Sequence, residues 1–317
     1  MRRPYLLLAG VTASWGTIPV LAGWANLPAP LIVAIRLWTA AACLGAVLLV
    51  QHWGSRRSPR TGGRGPRLLA VRPGLCALAG LTLAAHWLAL FAAYKRAPAG
   101  TVILIVYLAP LGVAALSPRL LGERISRVTV AALGLATVGF CLVAAPTVRA
   151  AGTSGLILSL LAAALFVVLI LVSKPLAAAY GGLRLAFIEL AGAGVVLVPV
   201  ALASAWPAPA AGWWWIVVLG VVHTAVGIAA YLGVLAEVPA THVGILGYLE
   251  PVAVVAAAWI WLGQRPALLT VAGGLLVVAA GAVVAAFGAG ARRPARRTDR
   301  PPLGERSTTG EAAVPSS

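Results

Sequence analysis

The chain reads as an all-α membrane protein of ten transmembrane helices arranged as two inverted five-helix repeats. Three observations predict this: the composition, a run of apolar spans, and a segment that occurs twice. The 317 residues are 61% hydrophobic and only 10% charged, with mean hydropathy +0.98, where a soluble domain carries about 25% charged residues. Apolar runs of about 20 residues, each long enough to cross a bilayer as a helix, fall at roughly 4–24, 30–50, 73–94, 99–118, 128–146, 153–173, 184–204, 213–235, 240–262 and 267–288. They lack the apolar/polar alternation of a membrane β-barrel. Shifting the sequence by 141 positions lays Pro98–Ala131 over Pro239–Ala272 without a gap, pairing Tyr107 with Tyr248, Pro110 with Pro251, Gly122 with Gly263 and Arg124 with Arg265.

The duplication sets the organisation. Five helices per half is odd, so the second half enters the bilayer in the opposite sense, as in many carriers. The halves are 1–146 and 153–288. The first run, with Arg2 and Arg3 before it, has some features of a signal peptide, but it extends to Trp24, beyond the length of a signal core. The connection 51–72 is rich in Arg, Gly, Ser and Pro and is expected to be flexible. The other connections are short, so sequential helices are expected to be antiparallel neighbours. Residues 289–317 are expected to form a disordered basic cytoplasmic tail able to meet anionic headgroups.

Charge orients the bundle. With the N-terminus inside, 19 basic residues fall on the cytoplasmic side, and only Lys95, Arg96, Arg149 and Arg265 fall outside, as the positive-inside rule requires. The expected location is the cell membrane, multi-pass, with both termini cytoplasmic. The net charge of +17 is thereby explained by topology and lipid contact, and no nucleic-acid partner is implied. Cys43, Cys76 and Cys141 fall inside spans at no metal-ligand spacing and read as packing residues.

Ionisable groups inside a bilayer are costly, about 2.5–3.5 kcal/mol at a helix centre, and mark function by default. Glu250 lies near mid-span, directly before Pro251, which frees a backbone carbonyl and bends the helix. There it can hold a cation or proton, face an amine, or simply be a neutral carboxyl satisfied by a neighbouring helix. His86 and His223 fall at the middle of the equivalent third and eighth spans, with Tyr107, Tyr231 and Tyr248 near the same level. Each histidine alone reads as a packing residue; together they can line one polar cavity. His242 begins its span and reads as interfacial. Arg36 and Glu189 differ in depth by about 12 Å at 1.5 Å per residue, so they read as symmetry-related positions near opposite mouths rather than as an ion pair. Arg36 either attracts a carboxylate or snorkels. Trp206 and Trp213–Trp215 suggest an interfacial belt, whereas Trp15, Trp38 and Trp87 lie deeper, where they wall a cavity or pack.

No phosphate-binding loop, HExxH, paired aspartates or GxSxG elbow is present. No catalytic residue, cofactor or metal is therefore expected, and the chain reads as a non-enzyme.

The chain resembles the drug/metabolite transporter superfamily, specifically its bacterial branch with two EamA-type repeats. The residues that carry the resemblance are Trp15-Gly16, Arg36, Pro98-Ala99, Tyr107-Leu-Ala-Pro110 through Leu121-Gly-Glu-Arg124, and Tyr248-Leu-Glu-Pro251 through Leu262-Gly-Gln-Arg265. It covers about residues 4–288. It implies a ten-helix inner-membrane carrier, both termini cytoplasmic, moving amino acids, other metabolites, drugs or sugar-nucleotides, commonly outward. One departure is Gln264, where the pattern favours an acid, as Glu123 retains in the first copy; contacts at that helix end are expected to differ. The expected function is an exporter of small metabolites such as amino acids or drug-like compounds, working by alternating access with proton coupling as an option. Glu250, His86, Tyr107, Tyr248, Arg36, Trp15 and His223 are the expected substrate-binding residues. Expected partners are a small-molecule substrate and membrane lipids; a homodimer is compatible with the sequence. The rival reading is a membrane-embedded lipid-handling protein or an enzyme acting on lipid.

Overall fold

The computed structural model describes residues 2–57, 72–204, 206 and 212–287. The expected tail 289–317 and most of the connection 51–72 lie outside these. The described residues form helices α1 (Arg3–Trp15), α2 (Ile18–Ala25), α3 (Ala29–Arg57), α4 (Pro73–Tyr94), α5 (Ala99–Val106), α6 (Ala109–Leu120), α7 (Arg127–Ala144), α8 (Thr153–Tyr180), α9 (Gly182–Val196), α10 (Val198–Leu202), α11 (Trp213–Val218), α12 (Gly227–Glu237), α13 (Ala240–Gly247), α14 (Leu249–Leu262) and α15 (Leu268–Phe287), with a π-helical stretch Leu219–Val226 joining α11 to α12. Nine spans among the described residues are long and apolar enough to cross a membrane. The seventh expected span makes the tenth, in two pieces, α9 and α10.

Proline explains why ten spans give fifteen helices. Pro19, Pro110, Pro199 and Pro251 each sit in the first turn of the second piece of a broken span. Proline lacks the N–H that would continue the ladder and its ring crowds the preceding turn. The chain therefore breaks at Gly16–Thr17, Tyr107–Leu108, Leu197 and Tyr248 and restarts beyond each. The eighth span has no proline and adjusts instead by widening to a π-helix around His223.

Packing follows a two-fold logic. The span α1–α2 packs on α12 and on α13–α14; in the matching way α8 packs on α4 and on α5–α6. The second span packs on the seventh (α3 on α9), and the fifth on the tenth (α7 on α15). Sequential helices are not the main partners, contrary to the expectation from short connections. The physical reason is that each half leaves its apolar faces for the other half, so the repeats interlock. One feature of the repeat is plain in the backbone. Gly122 and Gly263 both adopt left-handed φ, +67° and +68°, ending α6 and α14, a conformation that glycine enters without steric penalty.

The α7–α15 crossing is set by glycine on both sides. A Cβ on Gly139 would lie 2.7 Å from the Gly273 carbonyl oxygen, and Leu276 and Val277 leave no slack around it. Small residues of this kind bring membrane helices to backbone contact. Gly139→Val is expected to cost about 1–3 kcal/mol from overpacking, whereas Gly134→Ala, whose new methyl would have nothing within 4 Å, is expected to be neutral. Thermal unfolding of the purified variants in detergent checks the difference.

Candidate functional site

Between the two halves lies a cavity of about 330 Å³, walled by residues from eight of the ten spans. Its charged lining is Arg36 from α3, Glu189 from α9 and Glu250 from α14. Aromatic walls come from Trp15, Trp87, Phe91, Tyr94, Tyr107, Phe166 and Tyr231, and most of the remainder is aliphatic.

Glu250 owes its position to the proline break. It sits in the first turn of α14, beside N–H groups that have no partner within the helix, at the positive end of a half-helix dipole. The symmetry-related position in α6 is Ala109, so the duplication kept the break and placed the acid in one copy only. The Tyr107 hydroxyl is directed at Glu250, and the Arg36 guanidinium acts on it across the cavity. Arg36 is further fixed by donating Nε–H to Thr224 Oγ1 at 3.2 Å and by lying 5.8 Å from the Trp87 ring centroid. Thr224 in turn donates to Leu219 O, within the π-helical stretch. The cavity thus holds a cation and a carboxyl a short way apart, each held by an aromatic or hydroxyl neighbour.

The histidines have definite partners. His86 Nδ1 lies 2.8 Å from Ala162 O, and its ring stacks on Phe166 at 5.2 Å. A carbonyl can only accept, so Nδ1 carries the hydrogen and Nε2 of the neutral ring is the acceptor. His223 Nε2 lies 2.9 Å from Thr17 Oγ1, whose own hydrogen goes to Ser14 O. His223 therefore donates through Nε2, and its Nδ1 is buried without a partner. Trp15 donates Nε1–H to His223 O at 2.8 Å and packs on Tyr231 with centroids 5.4 Å apart.

Of the residues expected from sequence, Glu250, His86, Tyr107, Arg36, Trp15 and His223 line this cavity. Tyr248 does not. It is fully buried behind Tyr107, donating to Tyr107 O at 2.9 Å, near Thr137 Oγ1 and packed on Phe140. The break at Tyr107–Leu108 frees that carbonyl, and the tyrosine of the other repeat takes it. Trp38 is also outside the lining, donating to Gly194 O. His242, at the start of its span, is covered by protein: at 3% exposure it lies between Tyr5 Oη (2.9 Å) and Thr129 Oγ1 (3.1 Å). Glu189 faces the same cavity rather than a separate mouth. Ser173, Tyr94 and Phe166 join the lining without being marked by the sequence; serine and phenylalanine in an apolar span give no periodic or charge signal.

The two ends of the cavity differ. At the end bearing Arg2, Arg119, Arg124, Arg127 and Arg184, the start of α13 is pinned across the repeat boundary. Ala240 N–H donates to both oxygens of Glu123 at 3.0 and 2.9 Å, Ser117 Oγ lies 3.3 Å from Thr241 Oγ1, and His242 bridges Tyr5 and Thr129. Lys174 Nζ pairs with Glu123 at 3.0 Å and donates to Leu235 O and Val238 O at the end of α12. One carboxylate thus caps the N-terminus of α13 while one ammonium caps the C-terminus of α12, each favoured by the helix dipole it meets. At the opposite end the equivalent start, α5, is tied to the segment joining the two halves: Thr101 Oγ1 donates to Arg149 O and accepts from Arg149 N. Gln264, the counterpart of Glu123, is exposed. A second hollow at that end reaches Lys95 and Arg96 and shares Val33, Trp87, Phe91 and Tyr94 with the main cavity.

Comparison with known proteins agrees with this architecture. A family model described as the EamA-like transporter family matches residues 2–145 and again 153–286. A curated protein of Streptantibioticus cattleyicolor, named as a probable terminal-alkyne amino-acid exporter, is 30% identical over 180 residues, covering 56% of this chain and 61% of that protein. A protein of Archaeoglobus fulgidus named as an uncharacterized transporter is 27% identical over 201 residues, covering 63% of this chain and 71% of its own length. The match to the first relative thus spans less than two thirds of it. A solved crystal structure aligns with TM-score 0.74 at 20% identity, over 89% of this chain and 96% of that one; it shares the fold.

Lys174→Met leaves Glu123 without its cation and two carbonyls without a donor. The pair is mostly buried, with side chains 17% and 11% exposed, so a loss of about 2–4 kcal/mol is expected, between the surface and fully buried cases. Glu123→Gln retains an acceptor for Ala240 N–H and should cost less, whereas Gln264→Glu should change little. Thermal unfolding in detergent orders the three.

Proposed function

The chain belongs to the EamA-like transporter family, and from that premise we propose that it is a secondary carrier exporting a small zwitterionic metabolite by alternating access. A membrane transporter needs a site reachable from one side at a time, and the carrying observation is the cavity between the repeats, pinned shut across the repeat boundary at its arginine-rich end. The halves 1–146 and 153–288 are the moving units in this reading. With the arginine-rich end in the cytoplasm, both termini are cytoplasmic, the seal is the inner closure, and the cavity is turned outward. The basic residues of 289–317 then add to the inner-surface charge that attracts anionic lipid.

The lining supports the substrate class. Arg36 suits a carboxylate, Glu250 with Tyr107 suits an amine, and the aromatic and aliphatic walls suit an apolar side chain; His86 offers its acceptor Nε2 for a further donor. A cavity of about 330 Å³ lies in the range of small-ligand sites. An amino acid with an apolar side chain satisfies all of these at once. The relative from S. cattleyicolor, named for the export of a terminal-alkyne amino acid, points the same way.

The test is counterflow of a labelled panel of apolar L-amino acids in proteoliposomes. The unmodified protein should exchange at least one of them above protein-free vesicles. Removing a charge-assisted contact is worth about 1.5–3 kcal/mol, so Arg36→Gln and Glu250→Gln should each weaken apparent affinity roughly tenfold to a hundredfold. Cys43→Ala, outside the lining, should exchange normally. No exchange of any panel member, or full activity in Arg36→Gln, would sink the assignment.

A further inference from the structure

One acid in the cavity has no part in that anchoring. Glu189 is 2% exposed and lines the cavity, yet among the described residues no cation is paired with it. Its carboxylate accepts from Ser173, Oγ to Oε1, at 2.6 Å. We propose that Glu189 is a proton-binding site of the carrier, separate from the anchoring pair of Arg36 and Glu250; the inference rests on the carrier reading and names the ion that site would take.

Hydrogen-bond chemistry separates the two acids. A group that exchanges protons inside a protein must be tolerable both as an anion and as a neutral acid. Glu250 faces a guanidinium and a phenol, which hold it as an acceptor. Glu189 faces a hydroxyl, which can donate to a carboxylate and equally accept from a carboxylic acid. When a proton adds to the carboxylate and forms an O–H bond, the Ser173 contact therefore persists, with donor and acceptor either kept or exchanged. The added proton neutralises Glu189 itself, so the Arg36 guanidinium and the Glu250 carboxyl need not change partners. The groups facing Glu189 from each packed element agree with this. Tyr231 from α12, Arg36 from α3 and His86 from α4 share the cavity wall, Ser173 comes from α8, and none is bonded to Glu189 except Ser173.

Position gives the site a use. Glu189 lies about 10 Å along its helix from Gly182, towards the sealed end. The residue after its partner Ser173 is Lys174, the ammonium that pairs with Glu123 and caps α12. The proton site and the seal are thus held by consecutive residues of α8.

Infrared pH titration of the purified full chain reads this without any substrate, so its failure is distinguishable from a failure of the exchange assay. Apart from the bands of the chain's other acids, a protonated-carboxyl band at the high-frequency end typical of a buried, apolar site should appear on acidification and vanish on neutralisation. Glu189→Gln should abolish it, Ser173→Ala should shift its frequency, and Glu250→Gln should leave it in place. The assignment is overturned if the unmodified chain shows no titrating band, if the band survives Glu189→Gln, or if Glu250→Gln removes it. Should Glu189→Gln fail to fold, an unshifted band in Ser173→Ala overturns it and a shifted one supports it.

Discussion

The structure depends on one constraint: in hydrocarbon, every backbone N–H and C=O must find a partner inside the protein. Uninterrupted helices meet it alone. This chain interrupts at least five of its spans, four with proline and one with a π-helical stretch, and then repairs the damage with side chains. Tyr248 donates to the carbonyl freed at Tyr107, Trp15 to that of His223 and Trp38 to that of Gly194, while Lys174 serves those of Leu235 and Val238 at the end of α12. The first three of these cross from one repeat to the other. The breaks that would weaken either half alone are thereby turned into the bonds that hold the halves together, and the cavity is what remains where the broken helices face one another.

This explains what can be read from sequence. The span count, the duplication and the inverted arrangement follow from hydrophobic length and a fixed offset of 141 residues, both local properties. Glu250, Arg36, Trp15, His86 and His223 stand out because a polar group in an apolar span is costly enough to be conspicuous. What cannot be read is partnership. Tyr107 and Tyr248 are equivalent in the repeat, yet one lines the cavity and the other serves the first one's backbone. His242 begins a span, which suggests an interface, but the start of α13 is roofed by Tyr5 and Thr129 from the other half. Ser173 carries no signal at all until its neighbour is known to be Glu189.

The side chains break a symmetry that the backbone keeps. Gly122 and Gly263 end their helices in the same left-handed turn, and the helix breaks at Tyr107 and Tyr248 correspond. At the breaks, however, Ala109 stands opposite Glu250, and at the helix ends Glu123 stands opposite Gln264. The site chemistry is therefore carried largely by departures from the repeat: an acid placed in one copy at mid-membrane, and an acid kept in one copy at the exit.

On the carrier reading proposed above, that last difference sets a resting preference. Two perfectly matched halves would dwell equally long exposed to either compartment, since each posture would mirror the other. A cross-tie present on one face alone tilts that balance, and every 1.4 kcal/mol it contributes multiplies the ratio of dwell times about tenfold. On that reading, the carboxylate of Glu123 against the amide of Gln264 is where a two-way turnstile acquires a side on which it waits.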